Sequence, residues 1–118
     1  MGEKVVIWHN PRCSKSRQAL ALLRERGIEP VIVKYLENPP DAETLDRVLN
    51  ALEMEPRDLM RRREKPYKAL NLKDPSKTRG ELIEAMVQNP ILIERAIVLV
   101  GEKAALGRPP EAVLGLFD

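Results

Sequence analysis

The sequence predicts an α/β fold, in which a mixed four-stranded sheet carries flanking helices and is interrupted by a helical insertion. Two strand-like segments frame an amphipathic helix in the first third of the chain. Two further strand-like segments, joined by a tight turn, lie in the last third. Between them, apolar residues recur mostly at helical spacing. The predicted order is therefore β-α-β, then the insertion, then β-β-α.

The first third is predicted to be a βαβ unit. Residues 4–8 (KVVIW) form a β-branched run that ends before a turn-forming Asn-Pro pair. Residues 14–26 carry leucine and alanine at helical spacing, and Gly27 supplies the stop signal. Residues 30–36 (PVIVKYL) predict the second strand. A right-handed crossover would place this strand parallel to the first.

The middle of the chain is predicted to be mostly helical. Asp41 can cap a helix with an apolar stripe made of Ala42, Leu45, Val48, Leu49 and Leu52. Pro56 opens a short amphipathic piece. Thr78 and Glu81 have the spacing of a capping box. The helix behind that box would bury Leu82, Ile83, Met86 and Val87, and Pro90 would end it.

The last third returns to sheet. Residues 96–100 (AIVLV) predict a strand, residues 101–103 a tight turn, and residues 104–106 a strand that pairs back as an antiparallel hairpin. The Pro-Pro pair that begins at Pro109 starts a final helix. We expect that helix to bury Val113, Leu114, Leu116 and Phe117.

This order of elements describes a thioredoxin-like fold with a helical insertion between its two halves. At 118 residues the chain is long enough to bury a core without disulfides or metal. We therefore predict a single domain over residues 1–118, within which residues 41–90 form the mostly helical insertion.

The composition is that of an ordinary globular protein and argues against several function classes. The 20 basic and 18 acidic residues leave a net charge of +2, which is a weak basis for binding nucleic acid. No stretch approaches the roughly 20 apolar residues of a membrane span, and residues 1–10 lack the features of a signal peptide. We expect a cytoplasmic, monomeric protein without a nucleic acid or membrane partner.

The chain has one cysteine, Cys13, which is predicted to lie at the start of a helix. Free N–H groups and the positive end of the helix dipole favour an anion there. Arg12, Lys15 and Arg17 add positive charge, and Ser16 adds a hydroxyl group. Such surroundings lower a thiol pKa from about 8.5 to roughly 3.5–7.5, so that the thiolate is present at neutral pH. The alternative, a small buried core residue, fits these polar neighbours poorly.

A single thiol can attack an electrophile but cannot resolve its own adduct through an internal disulfide. Ser16 stands where a C-x-x-C dithiol has its second sulfur. The second thiol must therefore come from outside, and glutathione is the obvious intracellular donor. One histidine and four methionines are scattered along the chain, so we expect no metal site and no bound cofactor.

Residues 9–17 (HNPRCSKSR) resemble the H-N-P-x-C-x-x-S-R signature of the glutaredoxin-coupled arsenate reductases. Further segments match that family in the same order: residues 35–40 (YLENPP), 59–61 (LMR), 89–95 (NPILIER) and 107–111 (GRPPE). The similarity runs from about residue 5 to residue 114, nearly the whole chain. The last segment, with no second cysteine nearby, is similar to uncharacterised chromosomal members of the family.

The resemblance implies a thioredoxin-like fold and an activity. The Cys13 thiolate would attack arsenic(V), glutathione would displace an oxygen on the bound arsenic, and glutaredoxin would complete the reduction to arsenite. The resemblance implies three arginines that hold the oxyanion: Arg61, Arg95 and Arg108. The residues expected around the thiolate are His9, Ser16, Arg17 and Arg12.

Several assignments stay open at this point. Spacing alone does not separate Arg61 from Arg62 and Arg63, and each arginine could instead form a surface salt bridge. His9 could simply be a hydrogen-bonded residue at a strand end. The family commonly has a cis proline at the start of the third strand, where this chain has Arg95-Ala96. Either that bond is cis before alanine, or the strand enters differently.

Two other functions compete with the enzyme. Some thioredoxin-fold relatives of the family bind RNA polymerase and are switched by a C-x-x-C disulfide, and residues 57–68 could be a protein-contact face. Ser16 in place of the second cysteine argues against that switch. The basic run at residues 61–63 could bind nucleic acid, but few aromatic residues are available to stack on bases.

Overall fold

The computed structural model describes residues 4–117 and contains a four-stranded sheet with the strand order β2-β1-β3-β4. The strands are β1 (Val5–Trp8), β2 (Val31–Val33), β3 (Ile97–Val100) and β4 (Lys103–Leu106). The helices are α1 (Ser14–Glu25), α2 (Ala42–Leu52), α3 (Lys65–Ala69) and α4 (Arg79–Gln88). Three 3₁₀ helices cover Pro56–Leu59, Pro90–Leu92 and Pro110–Phe117.

The predicted mixed sheet is confirmed. β1 pairs in parallel with β2 and antiparallel with β3, and β3 pairs antiparallel with β4. β1 therefore lies inside the sheet, with a parallel neighbour on one side and an antiparallel neighbour on the other.

The described chain divides into two compact units. Residues up to 38, together with those from 95 onward, form the unit that contains the sheet, and residues 39–94 form the other. That residues 1–118 form one domain stays a prediction. The two ends of this range, residues 1–3 and residue 118, lie outside the described residues. No helix within residues 4–117 is long and apolar enough to span a bilayer.

The core of the sheet unit fixes the position of α1. The buried cluster consists of Ile7, Ala19, Leu20, Leu23, Ala96, Val98, Val100 and Val113. Gly107 packs between these elements: a Cβ atom at this position would meet the Ala96 carbonyl oxygen at 3.4 Å and the Ala19 Cβ at 3.5 Å, which are ordinary van der Waals contacts. The Gly107 N–H donates a hydrogen bond of 2.7 Å to that same carbonyl. The residues just before β3 are thereby held beside α1.

The second predicted strand is shorter than expected. β2 ends at Val33, and the Lys34 carbonyl then accepts hydrogen bonds of 2.9 Å from the N–H groups of both Glu37 and Asn38. A carbonyl that closes a turn in this way is not available for strand pairing, so the expected extension to residue 36 is wrong. The turn brings Tyr35 to a buried position, with 1% of its surface exposed.

The C-terminal hairpin and helix also differ in detail from the prediction. Gly101 adopts φ +59°, which permits a two-residue turn, and Lys103 therefore pairs with Val100 instead of belonging to the turn. The final helix is a 3₁₀ helix, in which Val113 is fully buried. The other three residues predicted to be buried there are only half-buried: Leu114, Leu116 and Phe117.

Both predicted helix caps in the second unit are confirmed. The Asp41 carboxylate accepts a hydrogen bond of 2.8 Å from the Thr44 N–H at the start of α2. At the start of α4, Thr78 and Glu81 form the expected reciprocal capping box. Two predicted core residues of these helices, Leu52 and Val87, are half-buried, and Ala42 is exposed because it lies in the first turn of α2.

We expect the Thr78→Ala variant to be less stable than the native protein by about 1 kcal/mol, the typical value of a lost N-cap. The reason is that the Glu81 N–H loses the hydroxyl oxygen that accepts its hydrogen bond at 3.2 Å. The measurement is urea unfolding followed by circular dichroism. Thr78→Ser, which keeps the acceptor, is the control, and equal midpoints for the two variants would contradict the prediction.

Candidate active site

Cys13 is the N-cap residue of α1, as the sequence predicts. Its backbone is extended, with φ −96° and ψ 123°, and its side chain is half-buried. The Cys13 N–H donates to the Asn10 carbonyl at 3.0 Å, and the Cys13 carbonyl accepts from the Arg17 N–H at 3.0 Å. The loop between β1 and α1 therefore places the sulfur where the first free N–H groups of the helix face it.

The pKa of the Cys13 thiol is lower than its ordinary value. Partial burial raises it, but a hydrogen bond from the Arg95 side chain lowers it. It is lowered further by the backbone N–H groups of Ser16 and Lys15 and by the positive charge of Arg95. The Cys13 side chain does not itself accept an N-capping hydrogen bond by geometric criteria. The thiolate is therefore favoured by one guanidinium and by the start of a helix.

Arg95 reaches the sulfur from the segment just before β3. The Arg95–Ala96 peptide bond is cis, which answers the question left open by the sequence. Burial lowers the pKa of Arg95, while hydrogen bonds and charge interactions with Cys13 and Tyr35 raise it, and the net effect is a rise. The Arg95 Nε atom is buried and meets no hydrogen-bond acceptor among the described residues.

Behind the loop, His9 and Ser16 form a buried hydrogen-bond network. His9 Nδ1 lies 2.6 Å from the Ser16 Oγ atom, which also accepts a hydrogen bond of 3.0 Å from the Asn10 N–H. Burial, followed by the charges of Arg24, Lys34 and Arg17, lowers the pKa of His9. The imidazole is therefore neutral at pH 7, and the simplest arrangement has the Ser16 hydroxyl donating to Nδ1.

This network separates the two roles that Ser16 could play. Its side chain is fully buried and bonded to His9 and Asn10, whereas its backbone N–H is the group that faces the sulfur. His9 and Ser16 thus fix the loop that holds Cys13, because they tie the end of β1 to the first turn of α1. The alternative interpretation of His9, a hydrogen-bonded residue at a strand end, describes this geometry.

The other two basic residues predicted near the thiolate lie on the exposed side of the loop. The Arg17 guanidinium donates a hydrogen bond of 2.9 Å to the Pro11 carbonyl. The Arg12 N–H donates to the Asn10 Oδ1 at 3.0 Å, and its side chain is exposed. Arg17 thus braces the loop, while Arg12 contributes surface charge.

The two remaining predicted arginines are placed very differently. Arg108 is exposed, follows β4 and precedes a cis proline. Arg61 belongs to the other compact unit, where its N–H donates to the Leu92 carbonyl at 2.7 Å. Its guanidinium pairs with Glu64 at 2.7 Å, and the two side chains are 25% and 26% exposed. This backbone anchoring distinguishes Arg61 from Arg62 and Arg63, which are exposed.

Tyr35 is the site residue that the sequence did not single out. Its signals are its place at the end of an apolar strand segment, which is equally typical of a core residue, and its place at the start of the matching segment 35–40. In the structure its charge and hydrogen-bond interactions are among the causes that raise the pKa of Arg95, after those of Cys13. Among residues 4–117, no three His, Cys, Asp or Glu side chains come together as a metal site would require. The arrangement is that of a thiolate nucleophile beside a cationic donor.

Comparison with known proteins identifies relatives over nearly the whole chain. Residues 8–116 match the model of the ArsC family. The Escherichia coli K12 protein YfgD, which is uncharacterized, is 56% identical over 115 residues, 97% of each chain. An arsenate reductase of Neisseria meningitidis is 47% identical over 111 residues, 93% of this chain and 95% of that protein.

The solved structures lead to the same group. An arsenate reductase from Vibrio cholerae superimposes with a TM-score of 0.95 and is 47% identical, covering 99% of this chain and 100% of that one. The predicted thioredoxin-like fold is confirmed, and so is the resemblance to arsenate reductases.

We expect the Arg95→Ala variant to have a higher Cys13 thiol pKa than the native protein, because the thiolate loses a charged hydrogen-bond donor. At a pH below the native midpoint, the rate of alkylation by iodoacetamide should fall about tenfold. Arg26→Ala removes the same charge at the opposite end of α1 and is the matched control. Equal rates for the two variants would show that Arg95 does not stabilise the thiolate.

We expect the folded protein to lose stability as the pH falls through about 6.5, the ordinary pKa of histidine. The pKa of His9 is lowered in the folded state, so the unfolded chain binds a proton first and becomes favoured. His9→Asn removes this proton uptake while leaving every carboxylate in place. The measurement is the denaturation midpoint against pH, and parallel profiles for the two proteins would contradict the prediction.

Proposed function

The chain belongs to the ArsC family, and from this premise we propose that it reduces arsenate, or a similar small oxyanion, with the Cys13 thiolate as nucleophile. The observation that carries the proposal is the position of Cys13 at the start of α1, where the Arg95 side chain and the backbone N–H groups of Ser16 and Lys15 lower the pKa of its thiol against the effect of burial. A thiolate and a guanidinium in contact supply a nucleophile and a donor for a negatively charged oxygen at one place.

The first proposed step forms a bond between sulfur and arsenic. The Cys13 sulfur attacks arsenic(V), an arsenic–oxygen bond breaks, and the oxygen leaves as water after taking up protons. Arsenic stays pentavalent in this step, since one ligand has replaced another. The Arg95 Nε supports the proposal, because a buried donor that meets no acceptor among residues 4–117 is suited to an incoming oxygen.

The reduction itself is proposed to use external thiols. Cys13 is the only cysteine of the chain, so no internal thiol can displace its adduct. Glutathione would replace a second oxygen on arsenic, again with loss of water. The glutaredoxin thiolate would then attack the glutathione sulfur, forming a disulfide and leaving the electron pair of the broken sulfur–arsenic bond on arsenic. Hydrolysis of the Cys13–arsenic bond would finally release arsenite and the thiolate.

We propose that Arg61 and Arg108 bind the oxyanion together with Arg95. Each charge-assisted hydrogen bond contributes about 1.5–3 kcal/mol. Arg61 is already paired with Glu64, so an oxyanion would have to compete with that carboxylate or share the guanidinium with it. Arginine is suited to such sharing, because its five N–H donors form a planar fork.

The proposed chemistry also indicates where and with whom the protein acts. A free nucleophilic cysteine and a glutathione-dependent cycle both require a reducing compartment, so we propose that the protein is cytoplasmic. Arg12, Lys15 and Arg17 are exposed beside the thiol and favour an anionic thiol donor such as glutathione. We propose that the protein acts as a monomer and holds no cofactor of its own.

The proposal predicts arsenate-dependent NADPH oxidation by the purified protein with glutathione, glutaredoxin and glutathione reductase. Cys13→Ser should abolish this activity, because a serine hydroxyl is not ionised at neutral pH and cannot replace the thiolate as nucleophile. An inactive native protein whose thiol still titrates below the ordinary range would show that the site is reactive but arsenate is the wrong substrate. A Cys13→Ser variant with full activity would end the proposal.

A second prediction separates Arg61 from its neighbours. Arg61→Ala should raise the KM for arsenate about tenfold or more, the equivalent of one charge-assisted hydrogen bond. Arg63→Ala, which removes the same charge from an exposed position two residues away, is the control and should leave KM unchanged. A larger effect of Arg63→Ala than of Arg61→Ala would reverse the assignment.

A further inference from the structure

Tyr35 is a buried polar residue beside the candidate active site, and the proposed mechanism gives it no part. Only 1% of its surface is exposed. It follows β2 at the end of the sheet where Cys13 follows β1 and where Arg95 precedes β3, whose first residue pairs with Trp8. Burial lowers the pKa of Arg95, and interactions with Cys13 and Tyr35 raise it. We propose that Tyr35 is a positioning residue, whose hydroxyl oxygen accepts a hydrogen bond from the Arg95 guanidinium and so holds that group against the Cys13 sulfur. The inference deepens the proposed function, because Arg95 is one of the groups proposed to bind the oxyanion.

The backbone delivers Tyr35 to this position through the shortened strand β2. Trp8 pairs with Val33 in the parallel register, and the His9 N–H then donates to the Val33 carbonyl at 2.8 Å. The turn at Lys34 follows at once and directs the chain away from the sheet edge. Tyr35 and Cys13 therefore follow neighbouring parallel strands, at the same end of the sheet.

From the side of Arg95, two acceptors define the direction of the guanidinium. Cys13 and Tyr35 both interact with the Arg95 guanidinium and raise its pKa against the effect of burial, and in the proposed arrangement the sulfur and the Tyr35 oxygen each accept a hydrogen bond from it. A guanidinium is a planar fork, so two acceptors restrict the rotation of the group, whereas one acceptor leaves it free to swing. The Nε edge, which meets no acceptor among the described residues, is held in place as a consequence.

A purely structural role for Tyr35 gives different expectations. A buried tyrosine that only fills space would stabilise the fold through its ring, and its hydroxyl would have no influence on Cys13. A positioning tyrosine acts on the thiol through Arg95, over one intervening side chain. The acidity of the Cys13 thiol, measured without any substrate, distinguishes these two cases.

The test is the Tyr35→Phe variant, which keeps the ring and removes one oxygen atom. Titration of the thiolate by its ultraviolet absorbance should show a higher midpoint than in the native protein. Alkylation by iodoacetamide, at a pH below the native midpoint, should slow about three- to tenfold. Tyr67→Phe is the matched control, because it removes the same atom from the only other tyrosine, which lies in α3, and should change neither measurement.

A double-mutant cycle shows whether Tyr35 acts through Arg95. In the Arg95→Ala background, Tyr35→Phe should have no further effect on the alkylation rate, since the group that Tyr35 positions is gone. An equal effect in both backgrounds would overturn the inference. A Tyr35→Phe protein that unfolds at lower urea but keeps the native thiol midpoint would overturn it too, because the hydroxyl would then be structural.

The outcome is independent of whether arsenate is the substrate. A shifted thiol midpoint in Tyr35→Phe, in a protein that never turns over arsenate, supports the inference and counts against the proposed function. An unshifted midpoint overturns the inference, even in a protein that reduces arsenate well. Where arsenate is turned over, Tyr35→Phe should lower kcat/KM about three- to tenfold, as Arg95 loses its orientation.

Discussion

The contact between the Arg95 side chain and the Cys13 sulfur is the interaction on which the candidate active site depends. It joins two segments that are far apart in the sequence: the loop that leads into α1 and the residues that lead into β3. Since β1 pairs with both β2 and β3, the ends of these strands determine which side chains meet at the sulfur. The packing of the sheet and the acidity of the thiol are therefore properties of the same arrangement.

The loop that carries Cys13 is held from two sides. On the buried side, Ser16 joins His9 and the Asn10 N–H in a network in which His9 and Ser16 are buried and Asn10 is half-buried. On the exposed side, Arg17 donates to the Pro11 carbonyl. The sulfur is thus presented by a loop that hydrogen bonds within the chain hold on both sides. A loop that is already ordered before substrate binds loses little conformational entropy on binding, because that entropy was lost during folding.

Much of the fold could be predicted because its signals are local. The capping box of Thr78 and Glu81 and the apolar run of β3 are each contained in a few consecutive residues. The features that could not be predicted are non-local. The end of β2 is set by the turn that the Lys34 carbonyl closes, and the meeting of Tyr35 with Arg95 requires the finished sheet. Spacing along the chain placed Cys13 at a helix start, but it did not identify Tyr35.

The full burial of the Ser16 side chain limits which residues this fold can accept at that position. A cysteine at that position would lose the hydroxyl that joins His9 to the Asn10 N–H, and it would place a larger, poorly hydrogen-bonding sulfur in the same space. Acquiring a self-contained dithiol would therefore disturb the loop that presents Cys13. In the proposed cycle the chain would store no oxidising equivalents internally, and its rate would follow the supply of small thiols in its surroundings.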